Sequence, residues 1–433
     1  MKKFMAALST CILMFSLCAC STGADSIPTS TSEESPSPSS TAIPESSEVS
    51  STKGTAPDYK NSPNFLPVGS MEFTVIDNTA APEFEGKAVE VNEDYFTSLE
   101  AALTKEKMSK LNKEQEIQGL QISPNGKNYA YFLITYIPDE NTGEVTYIDE
   151  YSEPRMVKSV QLIVECAGKT KEFWRADNYL MEYPLYYVLM WLDNEYISWS
   201  TEGIHIYNVN SGDSFKITLP EFIKKKKELN GVSPYGGIEE VYESKNGIAP
   251  FLGKLRENNE EESYSHYYLC FYNLKEKRWL ENYIHFTEFE YSEFFHITWS
   301  EQTDDLLLLL ENNNNKGYTF YVWKYNPFTN QRVEVKALKS SSDQMWIAAF
   351  SDDMIIWGSY TRRPDRTFLY DYVNDQWICY VNGYGDYHKN NDSLYIVEEV
   401  IDDRPQYIGD DILVYDLKNK IKYYYLTPRT SNN

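Results

Sequence analysis

Four arginines and two tyrosines, grouped in two stretches near the end of the chain, are the residues best suited to bind a ligand. Arginine offers a fixed fork of N–H donors that fits a carboxylate or phosphate, and tyrosine offers a ring for stacking. The grouping predicts a site for an acidic sugar, a peptide carboxylate or a teichoic-type polymer. The alternative is a set of solvated loops whose arginines pair with nearby carboxylates. The residues are Tyr360, Arg362, Arg363, Arg366, Arg404 and Tyr407.

Two histidines and two glutamates lie within twelve residues and could bind a metal if the chain folds back there: His285, Glu288, Glu293 and His296. No H-E-x-x-H pattern is present, and a strand with alternating side chains would account for these four residues without a metal. Paired acids at 304–305, 352–353, 402–403 and 410–411 suggest calcium. The first two pairs occupy turns where Asn-Gly serves equally well in other repeats. We therefore predict turn chemistry, with no metal and no other cofactor.

Catalytic motifs are weak. Gly212-Asp213-Ser214-Phe215 resembles the nucleophile block of GDSL-type esterases, but the late Asp-x-x-His of those enzymes is missing. The chain has no G-x-S-x-G, phosphate-binding glycine loop or dinucleotide fingerprint. Recognition is therefore favoured over bond chemistry.

Composition favours an all-β protein with an acidic surface. Aromatic residues make up 15% of the chain, and 36 residues are tyrosine, a bias typical of strands. The formal net charge of -25 would repel nucleic acid and anionic bilayers. A run of four lysines at 224–227 is the basic exception, and we interpret it as a solvated helix turn.

The first twenty residues have the layout of a secretory leader, with two lysines before an apolar run. They end in Leu17-Cys18-Ala19-Cys20, which resembles the lipobox of bacterial lipoproteins. The resemblance implies cleavage after Ala19, a diacylglycerol on Cys20, and a location on the outer face of the cytoplasmic membrane. Cys18 is the poorer candidate because the large Leu17 would precede it.

The domain organisation follows from composition. Residues 1–19 are predicted as the signal peptide, and residues 20–64 as a disordered tether rich in Ser, Thr and Pro. Such a tether would hold the body on the order of 35–40 Å from the lipid. Residues 65–118 read as a flank with strands near 71–76 and 89–91 and a helix at 95–111. Residues 119–428 carry the repeats, and 429–433 form a tail.

Six repeats can be aligned on two turn signals. The first is a polar hairpin at 123–126, 193–194, 245–247, 303–305, 352–353 and 390–392. The second closes a third strand at 164–165, 207–208, 272–273, 325–326, 370–371 and 415–416. The two markers alternate strictly, and a four-stranded unit of about 40–50 residues is typical of a propeller blade.

The first repeat also resembles a known turn. Ser123-Pro124-Asn125-Gly126-Lys127 is similar to the SPDGK turn of TolB-like and WD40-like propellers, with Asn125 where those proteins usually carry Asp. The predicted fold is an all-β, six-bladed β-propeller with a small N-terminal strand and helix flank. A seventh blade, built from residues 71–91 and the C-terminus, is the alternative.

In such a propeller, first-to-second and third-to-fourth turns share one face, and the remaining links share the other. The second kind is longer here, at 136–156, 219–238, 253–266, 358–367 and 398–411. Long links carry function on rigid scaffolds, so we predict the binding face there. Three cysteines, Cys166, Cys270 and Cys379, fall in non-adjacent repeats and are predicted as free thiols.

We therefore expect a membrane-anchored binding protein for an envelope polymer, peptide or protein. Two alternatives stay open: a hydrolase or lyase acting on glycan or cell-wall polymer, and a structural subunit of an envelope assembly.

Overall fold

The computed structural model describes residues 61–425 with internal gaps. The gaps are at 97–98, 149–153, 182–184, 186–188, 201–202, 225–236, 259–262, 288–290, 292–294, 313–318, 341–345, 360–365, 384, 389–392 and 402–407.

Short elements precede the sheets: strand β1 (Thr74–Ile76), a 3-10 turn (Asn78–Ala80), strand β2 (Lys87–Glu90), a second 3-10 turn (Glu93–Phe96) and helix α1 (Leu99–Met108). The described strands form six sheets, each with four consecutive antiparallel strands. Strands β3–β6 of sheet 1 are Gln115–Ile122, Tyr129–Thr135, Arg155–Cys166 and Lys169–Met181. Strands β7–β10 of sheet 2 are Leu189–Trp191, Tyr196–Ser200, Ile204–Asn208 and Ser214–Lys216. A short helix, α2 (Glu221–Lys224), follows.

The remaining four sheets repeat this order. Strands β11–β14 of sheet 3 are Gly237–Val241, Ile248–Asn258, Ser263–Asn273 and Arg278–Thr287. Strands β15–β18 of sheet 4 are Phe295–Trp299, Leu306–Asn312, Thr319–Asn326 and Gln331–Ser340. Strands β19–β22 of sheet 5 are Trp346–Phe350, Met354–Ser359, Arg366–Asp371 and Gln376–Asn382. Strands β23–β26 of sheet 6 are Gly385–His388, Ser393–Ile401, Ile408–Asp416 and Ile421–Tyr425.

The first signal falls between the first and second strands in five sheets, and the sixth, at 390–392, lies outside the described residues. The second signal ends the third strand in five sheets, and in sheet 1 the strand runs one residue further, to Cys166. The side chain explains the second signal. At the end of β17, Asn326 Oδ1 accepts hydrogen bonds from the backbone N–H groups of Phe328 and Thr329, both at 3.0 Å. Asp371 does the same at the end of β21. Four residues after each marker the backbone is left-handed, at Asn330 and Asp375.

Neighbouring sheets pack face to face through hydrophobic clusters. One cluster joins sheets 3 and 4 through Phe271, Phe286 and Tyr325, and another joins sheets 4 and 5 through Leu309 and Trp357. Similar clusters join sheets 1 and 2, 2 and 3, and 5 and 6. One sheet cannot cover both of its own faces, so each buries its apolar residues against the next.

The N-terminal flank packs against two of the sheets. Tyr95 packs on Tyr423 of sheet 6, with ring centroids 4.9 Å apart. Leu103, Met108 and Leu111 pack against the apolar residues of sheet 1. The flank thus contacts both the first and the last sheet.

Residues 64–90, which we call the belt, run around the outer edges of four sheets. Leu66 N–H donates to the carbonyl of His285 on sheet 3 at 2.8 Å. β1 pairs in parallel with β18 of sheet 4, and β2 with β26 of sheet 6. Between them, Phe84 N–H donates to Tyr380 O on sheet 5 at 2.9 Å. The segments considered for a seventh blade therefore extend existing sheets.

The outer edges outside the belt are protected in other ways. The edge strand of sheet 2, β10, has only 3 residues. The edge strand of sheet 1, β6, is long but carries exposed charges, including Lys171, Glu172 and Arg175, and a left-handed residue at Asn178. Short strands, charges and irregularities all discourage edge-to-edge association.

Two predicted links are wrong in extent. Residues 253–266 and 398–411 are mostly strand, because β12 pairs with β13 out to Asn258↔Ser263 and β24 pairs with β25 out to Ile401↔Ile408. The glycine and the charges in these stretches suggested loops, but cross-strand pairing extends the ladders through them. In the part of the chain that the structure describes, no helix is long and apolar enough to cross a membrane.

Candidate functional site

The six sheets define two faces. We call the side with the first-to-second and third-to-fourth hairpins the short-turn face, and the opposite side the long-link face. On the short-turn face the hairpins of neighbouring sheets are tied together. Asn125 N–H donates to Asn194 Oδ1 at 2.8 Å, joining sheets 1 and 2. Ser244 Oγ donates to Asp193 Oδ2 at 2.9 Å, joining sheets 3 and 2.

The paired acids take part in the same ties. Asn246 Nδ2 donates to Asp304 Oδ1 at 2.9 Å, joining sheets 3 and 4. Ser300 Oγ donates to Asp352 Oδ1 at 2.6 Å, joining sheets 4 and 5. These carboxylates hold hairpins to one another, which supports the turn interpretation over calcium. No group of three or more His, Cys, Asp or Glu among the described residues is arranged to hold a metal ion.

Buried polar side chains gather at the other end of the strands. Of the described polar residues that are buried, the three on the short-turn face are serines of the hairpins: Ser123, Ser300 and Ser393. A larger set lies towards the long-link face: Gln118, Ser159, Ser265, His266, His285, Thr287, Glu311, Asn312, Thr319, Ser340 and Thr367. Most of these belong to sheets 3 and 4. Buried polar groups cost stability unless they are hydrogen-bonded, so their concentration at one end marks this sector as the candidate site.

Glu311 and His296 form the titratable part of the sector. Glu311 lies on the same face of β16 as Leu307 and Leu309, which pack against sheet 5. His296 lies directly opposite Leu309, so it shares that face, and it hydrogen-bonds with the backbone of Ile347 on sheet 5. Glu311 is two residues beyond Leu309, so Glu311 and His296 are diagonal neighbours on adjacent strands, about 7–8 Å apart.

Desolvation shifts both groups towards their neutral forms. Burial raises the pKa of Glu311 from 4.5 to about 7. Burial lowers the pKa of His296 from 6.5 to about 4, although its backbone hydrogen bond opposes the change. Between about pH 4 and 7 the gap between sheets 4 and 5 therefore holds a neutral carboxyl and a neutral imidazole.

Sheet 3 contributes two imidazoles that contact each other. His266 Nδ1 and His285 Nε2 lie 2.8 Å apart, so one ring donates to the other. Tyr268 stacks on His285 with ring centroids 4.5 Å apart and an interplanar angle of 4°. His285 is thus bonded to His266, whereas His296 belongs to sheet 4. The structure does not bring together the two histidines of the metal hypothesis, and Glu288 and Glu293 lie outside the described residues.

On sheet 1 a polar clasp holds the longest link. Tyr136 Oη donates to Glu116 Oε2 at 2.6 Å, and Gln118 Nε2 donates to the same oxygen at 3.2 Å. Gln118 Oε1 accepts from the backbone N–H of Leu185 at 2.9 Å. The clasp fixes the inner strand, the second-to-third link and the link to sheet 2 in one arrangement.

Of the six residues in the predicted ligand site, Arg366 is described. The sequence placed it in the link at 358–367, and in the structure it is the first residue of β21, at the long-link end of sheet 5. Its guanidinium carbon lies 4.4 Å from the ring centroid of Tyr380, a cation–π contact. Tyr360, Arg362, Arg363, Arg404 and Tyr407 lie outside the described residues, and so does Cys20.

The hydrolase alternative requires two carboxyl groups facing one pocket. Glu240 is a second buried carboxyl with a raised pKa, caused first by desolvation, and it accepts a hydrogen bond from Tyr242. It lies opposite Leu252, which packs towards sheet 4, whereas Glu311 faces sheet 5. These two carboxyls are therefore on opposite sides of sheet 4 and do not form such a pair. Among the described residues, Cys166, Cys270 and Cys379 form no disulfide.

The sequence matches no family model and no curated protein. Solved structures with a similar fold include dipeptidyl peptidase 4 of Porphyromonas gingivalis, at 12% identity and a TM-score of 0.39, with 71% of this chain and 46% of that chain covered. This chain thus spans about half the length of that peptidase. The β-propeller domain of the Trilobed protease from Pyrococcus furiosus is 11% identical, with a TM-score of 0.39, covering 71% of this chain and 82% of the other. The Dos1 propeller is 9% identical, with a TM-score of 0.37 and coverage of 71% and 82%.

The successive four-stranded antiparallel sheets, packed face to face, define an all-β propeller protein. At such low identity the neighbours transfer no activity to the chain.

Proposed function

We propose that this chain is an exported lipoprotein, anchored by a lipid on Cys20 to the outer face of the cytoplasmic membrane, whose propeller binds a ligand on its long-link face. The proposal that the propeller binds a ligand rests on a difference between its two faces in how they use polar groups. The short-turn face uses its polar groups to tie hairpins together. The buried polar groups of sheets 3 and 4 lie at the opposite end.

The ligand chemistry in this proposal comes from the arginine-rich rim. Arg366 already lies at the long-link end of sheet 5, and Arg362 and Arg363 precede it directly in the chain. Arg404 lies in the second-to-third link of sheet 6, the neighbouring sheet. The chain as a whole carries a net charge of -25, so these grouped guanidiniums are the local feature that favours an anionic ligand with spaced carboxylates or phosphates. Arg363→Ala together with Arg404→Ala should weaken binding to such polymers.

Lipid attachment should depend on Cys20 and not on Cys18. The full chain, expressed in a bacterial host supplied with an alkyne-bearing fatty acid, is expected to be labelled and to fractionate with the membrane. Cys20→Ala should abolish the label, because acylation needs that thiol, and should release the protein. Label is measured in gels after coupling to a fluorophore.

Cys18→Ala is the matched control, since it removes a neighbouring thiol and leaves Ala19-Cys20 intact. It should be labelled like the wild type. Retention of label in Cys20→Ala would contradict the anchor while leaving the binding half of the proposal standing.

A further inference from the structure

β1 has an exposed hydrophobic face on an open edge. It is the outermost strand of sheet 4, and no other described strand pairs with its outer side. Along this segment Met71, Phe73 and Val75 are exposed by 43%, 39% and 68%. Ile76, on the alternate face, is buried at 2%. Within β1, Val75 and Ile76 face opposite sides, as alternate residues of a strand do. Met71 and Phe73 lie in the stretch directly before β1 and extend the exposed apolar strip that Val75 begins.

Among the described residues, the outer edges formed by β2 and β6 lack such a strip. β2 has charged residues at both ends, Lys87 and Glu90, and β6 carries several exposed charges. At β1 the strip is held in place. Phe73 packs edge-on against Tyr321 with ring centroids 5.5 Å apart, and Glu334 accepts a hydrogen bond from Ser70 N–H at 2.8 Å. A fixed apolar strip beside unpaired backbone groups is suited to receive another strand.

The charges around β1 indicate what kind of partner could supply the added strand. The chain as a whole carries -25, so two copies repel each other over most of their surface. The residues around β1, 68–77 and 331–340, balance three carboxylates with three cations: Glu72, Asp77 and Glu334 against Arg332, Lys336 and Lys339. This neutral apolar strip is a place where a second copy can approach without that repulsion.

We propose that two copies of this chain associate through β1, paired antiparallel with β1 of the second copy about a two-fold axis at Thr74. In this register each Phe73 lies opposite Val75 of the second copy, and the two Thr74 residues face each other. Aromatic–β-branched and Thr–Thr pairs are among the favourable cross-strand pairs. The contact is isologous and joins the two five-stranded sheets into one continuous sheet.

Sedimentation equilibrium of the whole chain, made soluble by Cys20→Ser, tests the proposal. The protein should show a monomer–dimer equilibrium. Val75→Glu should raise the dissociation constant at least about tenfold, because it places two like charges in the interface. Val373→Glu is the matched control: Val373 is exposed by 56% in the third-to-fourth hairpin of sheet 5, and its substitution should leave the dimer unchanged.

Cross-linking gives a second readout. Thr74→Cys should form a disulfide between copies under mild oxidation, whereas Val373→Cys should not. A wild type that stays monomeric at high concentration would overturn the proposal, as would equal effects of the two glutamate variants. Binding of a monomeric wild type to zwitterionic vesicles, lost in Val75→Glu, would also overturn it and assign the strip to a lipid surface.

Discussion

Replacing Leu66 and Ile76 together with alanine is expected to lower the free energy of unfolding by about 4–8 kcal/mol. Both are belt residues. Leu66 is fully buried in the cluster between sheets 3 and 4, and Ile76 is buried in the cluster between sheets 4 and 5. Because the two clusters are separate, the costs should add. Urea unfolding followed by tryptophan fluorescence gives the free energies, and a variant that does not fold at all agrees with a loss of this size.

Val68→Ala together with Val333→Ala is the control for that experiment. Val68 belongs to the belt and Val333 to the strand beside it, and they are exposed by 38% and 60%. Their replacement should cost less than about 1 kcal/mol. If the Leu66 and Ile76 variant were as stable as this control, the belt would be an accessory and not part of the core.

Glu311→Gln is expected to stabilise the protein by about 3 kcal/mol at pH 8 and by little at pH 4.5. Burial raises the pKa of Glu311 from 4.5 to about 7, so the folded state binds its proton more tightly than the unfolded chain does. Below pH 4.5 both states are protonated and the carboxyl costs nothing. As the pH rises from 4.5 to about 7, the unfolded chain releases this proton while the folded state keeps it, so stability falls by about 1.4 kcal/mol for each pH unit. Above about pH 7 the folded state holds a buried carboxylate and the whole loss is present.

Unfolding free energies of Glu311→Gln and wild type between pH 4.5 and 8 test this account. Glu281→Gln, at an exposed position on β14, is the control and should change stability by less than about 0.5 kcal/mol at every pH. His296 acts in the opposite direction: its lowered pKa makes the fold lose stability as the pH falls from 6.5 towards 4. A Glu311→Gln effect independent of pH would show that the carboxyl is not desolvated.

The repeat pattern could be predicted because one side chain has the same task in most repeats. Asn326 and Asp371 close their hairpins by accepting two backbone N–H groups, so the sequence must keep an Asn or Asp there. The belt left no such pattern. Its pairing with sheets 3 and 5 consists of single bridges at His285 and Tyr380, more than two hundred residues away in the chain. Contacts so short and so distant impose no periodicity.

The candidate site was predicted only in outline. The link lengths favoured the long-link face, and Arg366 lies at that end of sheet 5. Glu311 follows a run of five leucines and gives no local sign of burial, because its burial comes from packing against sheet 5. His296 was noticed for its spacing from His285, but the chain starts a new sheet at Phe295 and separates the two.

Binding of the whole chain to an anionic envelope polymer tests the central claim most directly. Poly(glycerol phosphate) and muramyl peptides, immobilised separately, serve as probes for the Cys20→Ser form. Arg363→Ala with Arg404→Ala should weaken binding at least about tenfold, since each lost charge-assisted hydrogen bond costs about 1.5–3 kcal/mol.

Lys127→Ala with Lys418→Ala removes the same charge from exposed hairpins of the short-turn face. If the site is on the long-link face, the dissociation constant of this variant should stay within about twofold of the wild-type value. A tenfold change would correspond to about 1.4 kcal/mol. Equal loss in both variants, or undiminished binding without Arg363 and Arg404, would contradict the account.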